Sequence, residues 1–309
     1  RDDVESRGLG DVYKRQVGHV GSTTAYTLIS KNIVDELVLF DSKDTILKAE
    51  LNDLMDGQME QANQVRLIGP DVAELADTDV IIFSAGDISI FEGNPDRFAE
   101  LNLTKTIVEE WAPVIRDSGF KGIILNITNP CDVITQYLQE LTELPQERVI
   151  GTGTSLDTGR MKHAISKSMK VHPSAIDGYV IGEHGESQFV AWSSVRIGGT
   201  PISEILTDDR LDVLDNAARD GGWVTFRGKG YTSYGIAIQA ARIAEAILND
   251  NHLVVPVSHY HQAEGCYVGS PAKVSRQGIS ESFPLKLSTA EQEKWRHTIQ
   301  TIHSMHATI

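Results

Sequence analysis

The sequence contains few of the features that mark secreted or membrane proteins. Only two cysteines occur, Cys131 and Cys266, and two are too few for a disulfide framework. No run reaches the roughly 18 consecutive apolar residues of a membrane-spanning helix. The charged amino-terminal stretch also lacks the apolar centre of a secretory signal peptide. We therefore expect a cytoplasmic protein that does not enter a membrane, with both thiols reduced and buried.

Positive charge is also scarce. The 309 residues include 28 Lys and Arg against 43 Asp and Glu, which gives a formal net charge of -15. A surface of this sign repels phosphate backbones, so nucleic acid is not an expected partner. It repels small anions as well, so an anionic substrate has to be bound by a few arginines at defined positions. The 10 histidines show no H-x-x-x-H spacing beside a carboxylate, so no bound metal is expected.

Short apolar runs alternate with helical patterns through the first half of the chain. Three runs read as buried strands, at 36–41, 79–86 and 122–126, and the intervening segments place apolar residues at helical spacing. Gly57 is placed to end the helix that follows the first run. This alternation is typical of a parallel sheet with crossover helices.

The pattern changes in the second half. A helix is expected at 155–169, short strands at 188–195, and a long helix rich in small residues at 232–248. Ser288 and Glu291 then stand in capping-box spacing ahead of a final amphipathic helix.

A chain of this length, with 40% hydrophobic and 23% charged residues, fits two globular domains, or one large α/β domain with an appendage. We predict an α/β fold, in which a Rossmann-type doubly wound parallel sheet is followed by an α+β catalytic domain. The change of pattern places the first domain at 17–150 and the second at 151–309.

A glycine-poor version of a phosphate-binding loop precedes the first helical pattern. The segment from Gln16 to Gly21 occupies the place of G-x-G-x-x-G without its first glycine, and a helix at 22–30 follows. Gly18 still lets the backbone approach a pyrophosphate, and Gly21 still allows the helix to pack closely. Asp41 follows 20 residues after Gly21 at the end of a strand, where a carboxylate binds ribose hydroxyls and disfavours a 2′-phosphate. The spacing predicts NAD as the cofactor, with an ordinary turn and a strand-end cap as the alternative.

The first strand of such a domain lies at the centre of the sheet and is normally built from Val, Ile and Leu. Here it reads Val12-Tyr13-Lys14-Arg15. Burial of Lys14 and Arg15 without partners would cost several kcal/mol each. We therefore hypothesise that residues 1–16 are a non-native segment.

Three short segments carry residues suited to catalysis. Asp157 and Arg160 are three apart in a helical pattern, so they project from one face, with a surface ion pair as the alternative. His184 lies between glycines directly after an apolar strand, which favours a functional role over a structural one. Arg97 lies in a loop after the strand that ends at Gly86, where a solvated charge is the alternative.

Hydride transfer at a hydroxylated carbon explains why these residue types occur together. His184 would take the hydroxyl proton, or return it to the carbonyl oxygen, near neutral pH. Asp157 would fix the imidazole tautomer and stabilise the imidazolium. Arg160 would hold a substrate carboxylate through two parallel hydrogen bonds. Arg97 would polarise the reacting carbonyl when its loop closes and excludes water.

The same residues lie in motifs that resemble those of the L-lactate and malate dehydrogenase family, and most closely its L-2-hydroxyisocaproate dehydrogenase branch. The motifs are Leu39-Phe40-Asp41, Asp96-Arg97-Phe98-Ala99-Glu100-Leu101, Ile127-Thr128-Asn129-Pro130, Gly151-Thr152-Gly153-Thr154-Ser155-Leu156-Asp157, Gly182-Glu183-His184-Gly185 and Gly228-Lys229-Gly230-Tyr231-Thr232-Ser233-Tyr234. The resemblance covers roughly residues 17–309. It implies an NAD-dependent enzyme that interconverts small L-2-hydroxy acids and 2-keto acids, and a homo-oligomer that is commonly a tetramer.

The resemblance also assigns roles within the site. The residues it implies are His184 as acid and base, Asp157 as its partner, Arg160 as the anchor of the substrate carboxylate and Arg97 as the loop arginine. It further implies that Asn129 contacts nicotinamide and substrate, and that Thr232 lines the substrate pocket.

The start of the mobile loop selects the substrate in this family, with glutamine typical of lactate enzymes and arginine of malate enzymes. Here the stretch reads Ile88-Ser89-Ile90-Phe91 and lacks a cation for a second carboxylate. Malate and oxaloacetate are therefore disfavoured, and a substrate side chain that is apolar and larger than methyl is expected. The alternatives are a plain L-lactate dehydrogenase and a non-catalytic nucleotide-binding homologue, the second favoured by the incomplete phosphate loop.

Bacterial lactate dehydrogenases that are activated by fructose 1,6-bisphosphate resemble one another in a basic pair near this region. The matching positions here are Lys162 and Asp177. Because a carboxylate at position 177 repels a phosphate, we expect no such activation.

Overall fold

The computed structural model describes residues 9–12, 18–41, 43–86 and 97–309, and the side chains of 9–12 and 97–99 lie outside that description. In this part of the chain the helices are α1 (His19–Ser30), α2 (Asp44–Gln58), α3 (Arg97–Asp117), α4 (Cys131–Thr142), α5 (Ser155–Met169), α6 (Asp208–Lys229), α7 (Tyr234–Leu248) and α8 (Thr289–His306). The strands are β1 (Leu9–Val12), β2 (Glu36–Phe40), β3 (Arg66–Ile68), β4 (Val80–Phe83), β5 (Ile123–Asn126), β6 (Val149–Gly151), β7 (Ile176–Asp177), β8 (Val180–Ile181), β9 (Phe189–Val190), β10 (Arg196–Ile197), β11 (Thr200–Pro201), β12 (Leu253–His261), β13 (Cys266–Ser275) and β14 (Gly278–Ser282).

Six parallel strands form the centre of the molecule in the order β3-β2-β1-β4-β5-β6. This is the strand order of a doubly wound dinucleotide-binding sheet, in which ligands bind at the carboxyl ends of the strands where the order reverses. The reversal here lies between β1 and β4, which are neighbours in the sheet. The Rossmann-type fold predicted from the sequence is confirmed.

The second half of the chain adds three antiparallel strands to the same sheet. β12 pairs with β6 at Ser258 and Gly151, and β13 and β14 continue outward. A Cβ on Gly151 would lie 2.9 Å from the Ser258 Cβ, so the close approach of these strands requires a glycine. The sequence patterns did not predict this extension, because it depends on contacts between segments that are far apart along the chain.

The central strand β1 lies earlier than the sequence predicted. Residues 9–12 pair in parallel with β2 on one side and β4 on the other, whereas the pattern placed this strand at 12–15. Lys14 and Arg15, on which the burial argument rested, lie outside the described residues. The hypothesis that residues 1–16 are non-native stays a prediction.

Apolar side chains alternate between the two faces of the parallel strands, as the pleat of a strand requires. Leu37 and Leu39 of β2 belong to a cluster formed with α1, α2 and α7. Val38 and Phe40 belong to a second cluster, formed with α3, α4 and α8. The sheet is thus covered by helices on both faces. None of the helices in the described ranges is both long enough and apolar enough to cross a membrane.

Several element boundaries match the sequence patterns, but the short strands expected at 188–195 are reduced to β9, and a 3-10 turn follows at Trp192–Ser194. α5 spans the predicted residues, and the predicted capping box of Ser288 and Glu291 is present at the start of α8. Gly57 does not end α2, and that prediction was wrong. The helix continues to Gln58, whose side chain is buried. The Gln58 amide donates to the Val65 carbonyl and accepts from the Val65 N–H, and these two hydrogen bonds fix the turn that follows the helix.

Candidate active site

His184 lies in a short loop that follows β8. The preceding Gly182 has φ of +102°, a conformation open to glycine, and a Cβ there would lie 3.0 Å from Thr298 Oγ1. The Gly182 backbone exchanges two hydrogen bonds with Gly269 of β13, at 2.9 and 3.1 Å. These two hydrogen bonds therefore fix the direction in which the loop leaves the small sheet of β8 and β9.

Asp157 joins the two other predicted site residues. It lies in the first turn of α5 and is 4% exposed. One carboxylate oxygen, Oδ2, lies 2.7 Å from His184 Nδ1, and the other, Oδ1, accepts a hydrogen bond from Arg160 at 2.9 Å. Burial would raise the pKa of Asp157, but the charges and hydrogen bonds of His184 and Arg160 lower it to about 2. Asp157 is therefore ionised at neutral pH, so Nδ1 carries a proton and donates it to the hydrogen bond.

Arg160 presents its guanidinium between α5 and α6. A Cβ on Gly222 of α6 would lie 3.2 Å from Arg160 Cζ, so the absence of a side chain at this position makes room for the planar group. The Arg160 side chain is 22% exposed. The hydrogen bond to Asp157 fixes its orientation while the guanidinium has further donors for a ligand. No local pattern indicates the role of Gly222, because its contact with Arg160 is made between two helices.

A second buried carboxylate, which the sequence analysis missed, holds the backbone of His184. Asp132 in the first turn of α4 accepts a hydrogen bond from the His184 N–H at 2.7 Å and one from the Ser258 hydroxyl at 2.6 Å. Burial raises the pKa of Asp132 to about 6, against the opposing effect of these hydrogen bonds. From sequence, an acidic residue at a helix start reads as a favourable interaction with the helix dipole, which explains why it was overlooked.

The loop around His184 is held by further contacts. The Glu183 N–H donates to the hydroxyl of Thr298, a fully buried residue of α8, at 2.7 Å. The Glu183 carboxylate accepts hydrogen bonds from the Ser187 N–H and hydroxyl. Arg219 of α6 donates to the carbonyls of residues 186 and 188. Helices α4, α5, α6 and α8 therefore all contribute to the position of this loop.

The predicted cofactor residues lie at the carboxyl edge of the parallel sheet. Gly18 has extended backbone angles and precedes α1, and Gly21 is buried within it. Among the described side chains, none caps the first turn of α1 and none there is acidic. Asp41 directly follows β2, and its Oδ1 accepts a hydrogen bond from the Lys43 N–H at 2.7 Å. Backbone N–H groups at the start of α1 and a carboxylate after β2 fit the pyrophosphate and ribose of a dinucleotide.

Two further predicted residues lie in turns next to these elements. Asn129 precedes α4, in a turn that the Asn126 side chain stabilises. The Asn126 amide donates to the Thr128 carbonyl and accepts from the Thr128 N–H. Thr232 lies between α6 and α7 and is half-buried. The neighbouring Tyr231 stacks on the His19 ring at 3.7 Å, so this turn contacts the start of α1.

The predicted loop arginine is only partly described. Arg97 is the first residue of α3, but its side chain and the segment 87–96 lie outside the described residues. The predicted Ile88-to-Phe91 stretch belongs to that segment.

A dinucleotide-binding sheet, together with an imidazole and a guanidinium held by one carboxylate, defines an NAD-dependent dehydrogenase of 2-hydroxy acids. The family model of the lactate/malate dehydrogenase NAD binding domain matches residues 16–151, and that of the lactate/malate dehydrogenase alpha/beta C-terminal domain matches residues 154–308. The chain belongs to the lactate/malate dehydrogenase family.

Known proteins of this kind are similar over nearly the whole chain. The L-lactate dehydrogenase of Halalkalibacterium halodurans is 34% identical over 296 residues, which cover 94% of this chain and 95% of that protein. The crystal structure of the minor L-lactate dehydrogenase from Enterococcus mundtii in its ligands-bound form superposes with a TM-score of 0.93, at 30% identity and 99% coverage of both chains. The lactate dehydrogenase from Cryptosporidium parvum, complexed with lactic acid and NAD, has a TM-score of 0.91 at 26% identity, with 99% of this chain and 98% of that chain covered.

Proposed function

We propose that this NAD-dependent dehydrogenase interconverts L-2-hydroxy acids and 2-keto acids whose side chains are apolar and larger than methyl. The observation that carries the reaction type is the shared carboxylate of Asp157. It orients the His184 imidazole at 2.7 Å and the Arg160 guanidinium at 2.9 Å. A proton-transfer group and a carboxylate-binding group are thereby fixed relative to each other.

This arrangement supports a proposed role for each residue. Bound NAD would supply the acceptor or donor of the hydride that leaves or reaches the substrate C2. Arg160 binds the substrate carboxylate and fixes the orientation of C2. Because Nδ1 of His184 is bonded to Asp157, Nε2 is the nitrogen that takes the hydroxyl proton or returns it to the carbonyl oxygen. Asp157 stabilises the imidazolium.

The remaining site residues act around this centre. Arg97, at the start of α3, would polarise the reacting carbonyl. Asn129 would contact nicotinamide and substrate, and Thr232 would line the pocket. Gly18, Gly21 and Asp41 would hold the dinucleotide. The roles of Gly18, Gly21, Asp41 and Asn129 are supported by their positions after the carboxyl ends of parallel strands, and those of Arg97 and Thr232 by the motifs that contain them.

The surroundings of Asp41 favour NAD over NADP. Burial raises the pKa of Glu50 on α2, and repulsion by Asp53 and Asp41 raises it further. The carboxyl groups of Glu50, Asp53 and Asp41 therefore interact unfavourably, and Asp41 is the residue proposed to bind the ribose. A 2′-phosphate would be repelled there.

The substrate preference is tested by a panel of 2-keto acids assayed with NADH. Because three of the four residues at 88–91 are apolar, 2-ketoisocaproate should exceed pyruvate in kcat/KM by about tenfold. Because the stretch lacks a cation for a second carboxylate, oxaloacetate should fall about 10²-fold below 2-ketoisocaproate. The matched control is the same panel with NADPH, which should react poorly with every acid.

Other outcomes of the panel identify the competing functions. A preference for pyruvate would favour a plain L-lactate dehydrogenase, a function supported by the names of the curated relatives. Absence of NADH oxidation with every acid would contradict the enzymatic proposal and favour a nucleotide-binding homologue.

Activation by fructose 1,6-bisphosphate is not expected. Burial lowers the pKa of Lys162 on α5, and the carboxylate of Asp177 on β7 opposes this effect, so the two side chains interact. The bisphosphate would have to approach this carboxylate, which is unfavourable. Initial rates at low keto acid should change by less than about twofold when it is added. A clear rise in rate would contradict the prediction.

Further predictions from the sequence extend the proposal. We propose domains at 17–150 and 151–309, a homo-oligomeric assembly, commonly a tetramer in proteins that this chain resembles, and a cytoplasmic location. The acidic net charge supports the expectation that nucleic acid is not a partner.

A further inference from the structure

Asp132 has a position that the proposed mechanism does not use. It is 1% exposed and lies beneath the loop that carries His184. Its two carboxylate oxygens bond two different segments, the backbone N–H of His184 and the hydroxyl of Ser258 on β12. Asp157 thus holds the imidazole ring of His184, while Asp132 holds its main chain.

The loop depends on such external contacts. His184 is flanked by Gly185 and separated by one residue from Gly182, so few side chains within the loop can anchor it. A Cβ on Gly185 would lie 2.0 Å from a Glu183 carboxylate oxygen, so the chain turns tightly at this point. The hydrogen bond from the His184 N–H to Asp132, 52 residues earlier in sequence, is therefore a direct restraint on the proton-transfer residue.

Asp132 also brings a charge close to the imidazole. The titratable groups that face it are Glu183 and His184 of the loop, Cys266 of β13 and Cys131 beside it on α4. Burial raises the pKa of Asp132 most, repulsion by Glu183 raises it further, and attraction to His184 lowers it. Because an interaction between two charges is reciprocal, ionised Asp132 stabilises the imidazolium.

We propose that Asp132 is a positioning residue that holds the His184 backbone and whose negative charge extends the pH range in which His184 stays protonated. The proposal rests on the proposed function, in which His184 is the proton-transfer group. The imidazolium is then supported by two carboxylates, one hydrogen-bonded to the ring and one beneath the main chain.

The test is Asp132→Asn in the full chain, because this substitution removes the charge and retains the shape. The amide oxygen can accept from the His184 N–H, and the amide nitrogen can donate to the Ser258 hydroxyl. Loss of the charge should lower the pKa of His184 by about one unit. Reduction of keto acids needs the imidazolium, so the alkaline limb of the pH profile of kcat/KM for reduction should move to a pH lower by about one unit. Oxidation of hydroxy acids needs the neutral ring, so the acid limb of the profile for oxidation should move to lower pH by the same amount.

Thr298→Val is the matched control. It removes the hydrogen bond to the Glu183 N–H and so disturbs the same loop without changing any charge. We expect Thr298→Val to lower the rates at every pH, while the alkaline limb for reduction and the acid limb for oxidation stay at the same pH. If Asp132→Asn behaves in the same way, or like the unsubstituted protein, the proposed role of the charge is wrong.

A measurement that does not need turnover separates this inference from the proposed function. The His184 ring can be titrated by NMR, with its signals assigned by their loss in His184→Asn. A titration midpoint about one unit lower in Asp132→Asn supports the inference even if no keto acid reacts. Turnover with an unchanged midpoint overturns the inference and leaves the proposed function in place. If the asparagine variant does not fold, Asp132→Glu retains the charge, and a lowered midpoint in that variant would contradict the inference.

Discussion

Replacing His184 with asparagine should lower kcat by roughly 10³-fold in both directions of the reaction. The asparagine amide can still donate to Asp157 Oδ2, so the buried carboxylate keeps a partner and the fold is preserved. What is lost is Nε2, the nitrogen proposed to exchange a proton with the substrate oxygen. Binding of NADH and the KM for the keto acid should therefore change little, because neither depends on proton transfer.

The measurement is steady-state NADH oxidation and NAD reduction, combined with a titration of NADH affinity. His252→Asn is the matched control, since its side chain is 60% exposed and lies outside the proposed site. We expect wild-type rates from the control. If the His184 variant keeps more than about a tenth of wild-type kcat, another group transfers the proton.

Replacing Arg160 with lysine should lower kcat/KM for keto acids by roughly 10³-fold, mainly through a higher KM. Lysine keeps the positive charge near Asp157 but cannot form two parallel hydrogen bonds to a carboxylate. Its ammonium also lacks the planar shape that fits the space over Gly222. The substrate would then bind weakly and in several orientations.

Arg66→Lys is the matched control, because this arginine is 65% exposed on β3. The control should retain the wild-type KM. An unchanged KM in Arg160→Lys as well would show that the substrate carboxylate is bound elsewhere. A normal NADH affinity in both variants would confirm that the dinucleotide site is intact.

The site residues that could be predicted from the sequence are those with local signals. Asp157 and Arg160 are three apart on α5, and the helix begins and ends where the pattern indicates. In the structure, Asp157 hydrogen-bonds the His184 ring at 2.7 Å and accepts a hydrogen bond from Arg160 at 2.9 Å, so Arg160 reaches His184 only through Asp157. Helical spacing placed Asp157 and Arg160 on one face but left a surface ion pair as the alternative, and the proposed roles of these residues come from the resemblance of their motifs to those of the family.

The supporting contacts could not be predicted in the same way. Asp132 bonds the backbone of His184 across 52 residues, and Thr298 bonds Glu183 across 115. Neither contact produces a periodic pattern, because each is created by the packing of separate elements. The antiparallel extension through Ser258 and Gly151 was missed for the same reason.

The position of β1 shows a different limit of pattern analysis. The apolar pattern of parallel strands was strong in β4 and β5, whose residues are all buried. In β1 the sequence is Leu-Gly-Asp-Val, which no composition rule would assign to the centre of a sheet. Pairing with β2 and β4 on both sides determines this strand, rather than its own residues.

The two halves of the chain share one sheet, because β12 pairs with β6, and they also share one apolar cluster. Ala240 and Ala244 of α7 pack in the same apolar cluster as Leu28 of α1 and Leu39 of β2. A chimera that exchanged only the second half would need strands that fit the edge of β6 and a helix whose small residues fit α1. Substrate range in this scaffold is therefore best altered by individual substitutions around the site, since the substrate-binding half is not an interchangeable module.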